Sequence, residues 1–187
     1  MSRTVSGARA AALLEAAAAV ACSANHNTSV NVVPGQLVAP GSSVYILAVP
    51  DGVSRSDGPA EGSGFAMAVG LRDALLAHGF SPLISDIGDI EVGIKEAAGL
   101  NYRYLVRARL TQWEDNATPL STRPDRAALS IEVYDVKSHA LVATSTHAAA
   151  GAHADYLSRS PDRFVPELAD SCLGAIFGWT PSVFIRK

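Results

Sequence analysis

The sequence predicts an α/β domain, with a mixed sheet of about five strands in the order βαβαβββα and about three packed helices. Three observations carry this. Val44-Tyr45-Ile46-Leu47-Ala48-Val49 is an unbroken apolar run closed by Pro50, the pattern of a short strand buried on both faces. Residues 63–78 and 86–99 space their apolar side chains at three and four, as a helix packed on one side requires. From Tyr102 the period falls to two in three successive runs, which predicts antiparallel strands with one packed and one wet face.

Before the first strand lie two segments of different character. Residues 1–21 carry Arg3 and Arg9 ahead of a short Ala/Leu-rich run, and the small residues Ala19-Val20-Ala21 precede Cys22. A basic start, a short apolar stretch and a small-residue cleavage site describe a secretory signal peptide. The run is shorter than the roughly 20 apolar residues a membrane span needs. A cysteine just after the cleavage point matches the bacterial lipobox, which makes Cys22 the expected lipidation site and residues 22–43 a lipid-anchored flexible tether. Glu15 inside the run and Ala19 in place of the usual leucine depart from the lipobox. Ala19-Val20-Ala21 also fits ordinary signal peptidase, which leaves Cys22 unmodified and the chain secreted to the periplasm without lipid. An Ala-rich amphipathic helix that happens to end at a cysteine is the plain structural reading. The domain proper is expected over residues 44–187.

Within that domain the strand at 44–49 leads into a Gly/Ser/Asp-rich loop, Asp51 to Gly64. Ser63 is the expected N-cap of the first helix, whose Ala68, Leu71, Leu75 and His78 share one face. Gly79 stops it in a left-handed cap and Phe80 folds back on its last turn. Ser81-Pro82-Leu83-Ile84-Ser85 is a short second strand, and Asp86 to Gly99 a short helix opening with acidic residues, as its positive end favours. In the alternating half, Tyr104, Val106, Ala108 and Leu110 oppose Arg103, Arg107 and Arg109, and Ala127, Leu129, Ile131 and Val133 oppose Ser130, Glu132 and Tyr134. Lys137-Ser138-His139 turns the chain into the third run, Leu141 to Ala149. A last helix opens at Ser160-Pro161-Asp162, is bent or restarted at Pro166, and buries Phe164, Leu168, Cys172 and Ile176.

Composition narrows the function classes. The 187-residue chain is 48% hydrophobic and 18% charged, the balance of a globular protein. Its formal charge is −3, and removing Arg3, Arg9 and Glu15 with the leader turns 15 basic and 18 acidic residues into 13 and 17, a net −4. Nothing here attracts nucleic acid or forms a polybasic membrane patch. With Cys22 lipidated, Cys172 has no disulfide partner and acts as a small apolar core group.

Gly62-Ser63-Gly64 precedes a helix, where backbone N–H groups can cradle phosphate, but it lacks a Walker lysine and the dinucleotide glycine spacing, so capping is the expected role. Asp86, Asp89 and Glu91 do not follow a calcium loop and read as helix-start acids. His147 and His153 flank AAAGA without an evident third ligand and read as exposed loop histidines, so no metal and no cofactor is expected. Arg103, Arg107 and Arg109 form a basic stripe with Glu132 across from it. This is either a paired wet face or a contact for an acidic partner or lipid head group. Asp115 or Asp125 is expected to pair with Arg126 and pin the loop between two strands. Glu114 and Asp115, being adjacent, point apart and do not form an acid/base pair.

Trp113-Glu114-Asp115-Asn116-Ala117-Thr118, Arg123-Pro124-Asp125-Arg126 and Val133-Tyr134-Asp135-Val136 together resemble a family of proteobacterial lipoproteins of unknown function. The segment from Val44 to Gly79, with Gly62-Ser63-Gly64 and Leu71-Arg72-Asp73-Ala74-Leu75, is similar as well. The resemblance covers most of residues 44–177. It implies a small envelope lipoprotein without assigned activity, with a fold like the periplasmic α/β domains of Tol-system and curli-secretion accessory proteins. The chain departs from the pattern at His139, where a hairpin glycine is usual, and over His147 to Tyr156.

The expectation is therefore a non-enzymatic, outer-membrane-anchored domain facing the periplasm, held to the bilayer by N-terminal acylation and bound to an envelope protein. The alternative is a small-ligand-binding or hydrolytic protein using Asp51, Asp57 and Ser63 in loop 51–64, at the carboxyl end of the first strand where open α/β sheets place ligands.

Overall fold

The computed structural model describes residues 27–32, 41–54, 58–116, 123–151 and 160–182. They form one α/β domain. Its strands are β1 (Asn27–Val32), β2 (Ser43–Ile46), β3 (Val53–Ser54), β4 (Gly58–Pro59), β5 (Ser81–Ile84), β6 (Tyr104–Glu114), β7 (Arg126–Asp135) and β8 (Leu141–Ala150). Its helices are α1 (Ser63–Ala77), α2 (Ile90–Gly99) and α3 (Val165–Phe177), the last preceded by a 3-10 turn at Pro161–Phe164. Six strands make the main sheet in the order β1-β8-β7-β6-β2-β5, and β3 and β4 form a small separate pair.

The sheet is parallel on one side and antiparallel on the other, as the change of period requires. β2 lies between β5 and β6 and runs parallel to both. The chain steps outward from β2 to β5 through α1, then back across β2 to β6 through α2. Two right-handed crossovers in opposite directions must lie on opposite faces of the sheet. The burial confirms it: Val44 and Ile46 face Met67, Leu71 and Leu75 of α1, while Tyr45 and Leu47 face Ile94 and Ala97 of α2. The four side chains from Val44 to Leu47, three in β2 and one just past it, are fully buried, which is why the run is apolar without alternation.

On the antiparallel side α3 and the 3-10 turn before it cover one face. Phe164, Leu168, Cys172 and Ile176 pack with Leu129, Ile131 and Val133. The expected stripe is therefore the buried one, and Pro166 restarts the helix after the 3-10 turn. The opposite face of β7, β8 and β1 carries Glu132, Ser130, Thr144 and Thr146, all at least partly exposed.

Three local expectations need correction. Asn27–Val32, placed by the sequence within the tether, is a strand that pairs antiparallel with β8 at the sheet edge. The alternation of Thr28, Val30 and Val32 with Asn27, Ser29 and Asn31 was the available signal, hidden by the polarity of the segment. The sheet consequently has six strands. Ser63 is the first helical residue of α1 and not its cap, because Gly62 occupies the cap position in a left-handed conformation, φ 82°. His147, expected in an exposed loop, lies within β8 and is 5% exposed, with Nε2 3.5 Å from Glu167 Oε1 of α3. Its position opposite Leu129 puts it on the helix-covered face.

Other signals hold. The Gly79 N–H donates to Leu76 O and the Phe80 N–H to Leu75 O, with Gly79 at φ 77°, so the Schellman stop of α1 is as expected. Asp89 caps α2 by accepting from the Val92 N–H at 3.0 Å. Pro82 sits in β5, an edge strand, where its missing donor costs least. His139 takes φ 60°, so a non-glycine residue holds the left-handed turn position.

Candidate functional site

Two regions carry the candidate residues: the carboxyl end of the parallel strands and the open sheet face.

At the carboxyl end, the chain leaves β2 after Ile46, passes Pro50 and Asp51, and folds through β3 and β4 into α1. Asp51 turns back on the helix start. Its Oδ1 accepts from the Gly64 N–H at 2.8 Å and its Oδ2 from the Gly62 N–H at 3.2 Å. Ser63 Oγ accepts from the Gly52 N–H at 2.9 Å. The carboxylate thus occupies the anion position that the orphan N–H groups of a helix N-terminus create. Two of the three residues named for a ligand loop are tied to the protein's own backbone, and the third, Asp57, lies outside the described residues.

Gly52 and Gly64 are there for close approach. A Cβ on Gly52 would stand 2.7 Å from Trp113 Cβ, so the β3–β4 flap rests directly on the end of β6. A Cβ on Gly64 would run into the Val49 carbonyl oxygen and stand 2.8 Å from Pro50 C. The glycine pattern therefore serves helix–strand packing.

Alongside, Asp125 pins the end of the antiparallel half. It is fully buried, its Oδ1 accepts from the Asn116 N–H at 2.8 Å, and its Oδ2 is 3.3 Å from Arg163 Nη2. Its carbonyl accepts from the Gly151 N–H at 2.9 Å. The loop is held by Asp125 as one of the expected anions, but its cation is Arg163 from the 3-10 turn and not Arg126. Arg126 lies opposite Glu114 across β6 and β7.

The open face assembles the basic stripe. Arg107 stands opposite Glu132 in the β6–β7 register, with Nη1 3.3 Å from Oε2, and Arg109 Nη2 reaches Oε1 at 2.8 Å. The Tyr134 hydroxyl donates to the same carboxylate at 3.1 Å. Burial, then the bond to Glu132, raises the Tyr134 phenol above its usual range, so it stays a donor at neutral pH. Two guanidiniums thus share one carboxylate. Arg103, at the other end of the stripe, has its own partner: Nη2 is 3.2 Å from Asp135 Oδ2.

Asp135 yields a pH prediction. Burial pushes its carboxyl up, but hydrogen bonds from the Ser138 backbone and hydroxyl, with Arg103 and the Lys137 backbone, outweigh it, so the net shift is downward. A lowered folded pKa contributes stability that is present above the unfolded value and lost as pH falls through the folded one. Asp135→Asn is therefore expected to have a lower urea midpoint than the parent above about pH 5, with the gap closing below the usual aspartate value near 4. A gap independent of pH would refute the assignment.

Cys172 is fully buried and its thiol is pushed up to about 12 by burial, against bonds from Ser145 and the His147 backbone. It is held protonated in the core, which suits the packing role assigned from sequence. Asp170, also buried, was not singled out by sequence. It accepts from Trp179 Nε1 at 2.9 Å and from the Ser182 N–H at 2.6 Å, and it stands 3.3 Å from His78 Nε2, while His78 stacks on Trp179 at 4.0 Å. It ties the residues after α3 to the end of α1. Among the described residues, no three His, Cys, Asp or Glu side chains gather as a metal-holding group. No described helix is long and apolar enough to cross a membrane. Cys22 and His153 lie outside the described residues.

Residues 36–169 match the family described as Domain of unknown function (DUF4823). The fold is similar to that of the PelC dodecamer from Paraburkholderia phytofirmans, at 15% identity and a TM-score of 0.62, covering 80% of this chain and 97% of that one. It is also similar to protein XCC0632 from Xanthomonas campestris (DUF330), at 10% identity and a TM-score of 0.51, covering 74% and 88%. At these identities the likeness is one of fold. No curated protein matches the sequence.

Proposed function

The chain belongs to the family described as Domain of unknown function (DUF4823), and we propose that it is a non-enzymatic envelope domain. It is exported by residues 1–21, anchored to the outer membrane through acylated Cys22, and faces the periplasm, where it binds an acidic envelope protein. The observation that carries the reading is the open face: Arg107 and Arg109 share the single carboxylate of Glu132, leaving a surplus positive charge on a sheet surface within a chain of net −3. Charge complementarity of this kind sets partner choice and association rate more than raw affinity. The ligand-loop reading is less favoured because Asp51 and Ser63 are engaged by backbone N–H groups.

The test is a photo-crosslinking residue at position 109 and, as control, at position 72 on α1, in membranes of the native host. A discrete adduct from 109 alone, reduced at high salt and weakened by Arg107→Gln, is expected. Equal labelling from both positions, or none from 109, would overturn the assignment. An adduct with a second copy of the chain, in the manner of the dodecameric PelC, would replace the acidic partner by self-assembly.

A further inference from the structure

The direction of β1 limits how an anchored domain can sit on its membrane. β1 runs antiparallel to β8, with Asn27 opposite Ala148 and Val32 opposite Ala143. β8 ends at Ala150, beside the Asp125–Gly151 contact, so Asn27 lies at the same end of the sheet as the close of β6 and the start of α1. Only residues 23–26 separate Cys22 from Asn27. Five Cα–Cα steps span at most about 18 Å even when fully extended. The ten residues of β8 alone extend over roughly 33 Å. An acyl group on Cys22 therefore holds the carboxyl end of the parallel strands near the bilayer, and the turn at Lys137-Ser138-His139 lies at the far end. The leash is much shorter than the 22–43 segment expected from sequence, because β1 is part of the sheet.

That same end presents Phe65 at 71% exposure, in the first turn of α1, and Val53 at 68%, in the β3–β4 flap. They are the two most exposed large apolar side chains among the described residues. Resting on the acylation of Cys22 proposed above, we propose that this end is a lipid-contacting surface, with Phe65 and Val53 seated at the head-group boundary. An exposed apolar ring at a helix start suits shallow insertion at the boundary between head groups and acyl chains. The bilayer is chosen as occupant because the length and starting point of the leash deliver this end to it. The arginine face then stands beside the membrane normal, accessible to a partner in the periplasm.

The test places an added tryptophan at either end. The full chain, exported in a bacterial host and carrying Phe65→Trp or Leu141→Trp, is reconstituted into vesicles of phosphatidylethanolamine and phosphatidylglycerol with brominated acyl chains. Intact mass reports acylation at Cys22. Quenching of the added emission at 65 is expected to exceed that at 141 by at least threefold. Equal quenching, stronger quenching at 141, or none at either position would overturn the orientation. If the mass shows an unacylated Cys22, the same product is coupled through that thiol to a maleimide phospholipid, since Cys172 is buried and does not compete. The threefold difference retained after coupling upholds the orientation while acylation fails. Its loss on acylated protein refutes the orientation while acylation stands.

Discussion

Gly64→Ala is expected to be the most damaging single-methyl change in the protein, costing about 3 kcal/mol or more, with failure to fold as its upper limit. The added Cβ meets backbone on every side: the Val49 carbonyl oxygen, Pro50 C at 2.8 Å and the Asp51 N–H nitrogen at 3.0 Å. None of these is the end of a flexible side chain, so relief requires moving α1 away from β2. That movement lengthens the bond from the Gly64 N–H to Asp51 Oδ1 and opens the Met67–Leu71–Leu75 contact with the sheet. Helix propensity alone predicts the opposite sign, since alanine is favoured over glycine by roughly 1 kcal/mol. Gly99→Ala, at the exposed end of α2 with nothing within 4 Å of the new Cβ, is the matching control and is expected to be neutral or slightly stabilising. Urea denaturation followed by tryptophan fluorescence measures both. Equal effects from the two substitutions would show that Gly64 is not held by close approach.

Asp125→Ala is expected to lose about 3–5 kcal/mol, because it deprives the Arg163 guanidinium of this counter-charge within the fold. The side chain of Arg163 is only 16% exposed, so water does not readily take the place of the carboxylate. The substitution also removes the acceptor of the Asn116 N–H. Asp125→Asn keeps an acceptor without the charge and should fall between the two. Adding Arg163→Met to Asp125→Ala should recover part of the loss, as a coupled pair requires. The same urea transitions report all four chains. A loss below about 1 kcal/mol for Asp125→Ala would mean that the backbone bond from the Gly151 N–H to Asp125 O is enough to hold the loop.

The two sites differ in how far they were legible. The basic stripe was readable because alternation assigns faces directly: Arg107 and Arg109 had to share one side of β6, and Glu132 had to be near once β7 paired beside it. The Asp51 cap was half readable, since a glycine-flanked helix start after a strand needs something for its N–H groups. Sequence offered Ser63, the nearest hydroxyl, but the actual acceptor reaches forward eleven and thirteen residues to Gly62 and Gly64. Asp125 was identified as a loop pin with the wrong cation, because Arg126 is its neighbour in sequence and Arg163 its neighbour in space.

The order of residues along the chain sets the kinds of element and most of their succession. A period of two or 3.6 is a property of consecutive residues, so Val44 to Val49, the alternating runs from Tyr102 and the stripe Phe164–Leu168–Cys172–Ile176 declare their burial locally. It also determined the stop at Gly79, because a Schellman cap is formed within six residues. Three features needed the folded chain: Asn27–Val32 is a strand, His147 is buried beside Glu167, and Asp170 gathers Trp179, Ser182 and His78. Each depends on a partner distant in sequence: β1 exists because β8 leaves an edge to pair with, and a buried polar side chain is tolerated only where the fold brings it a partner.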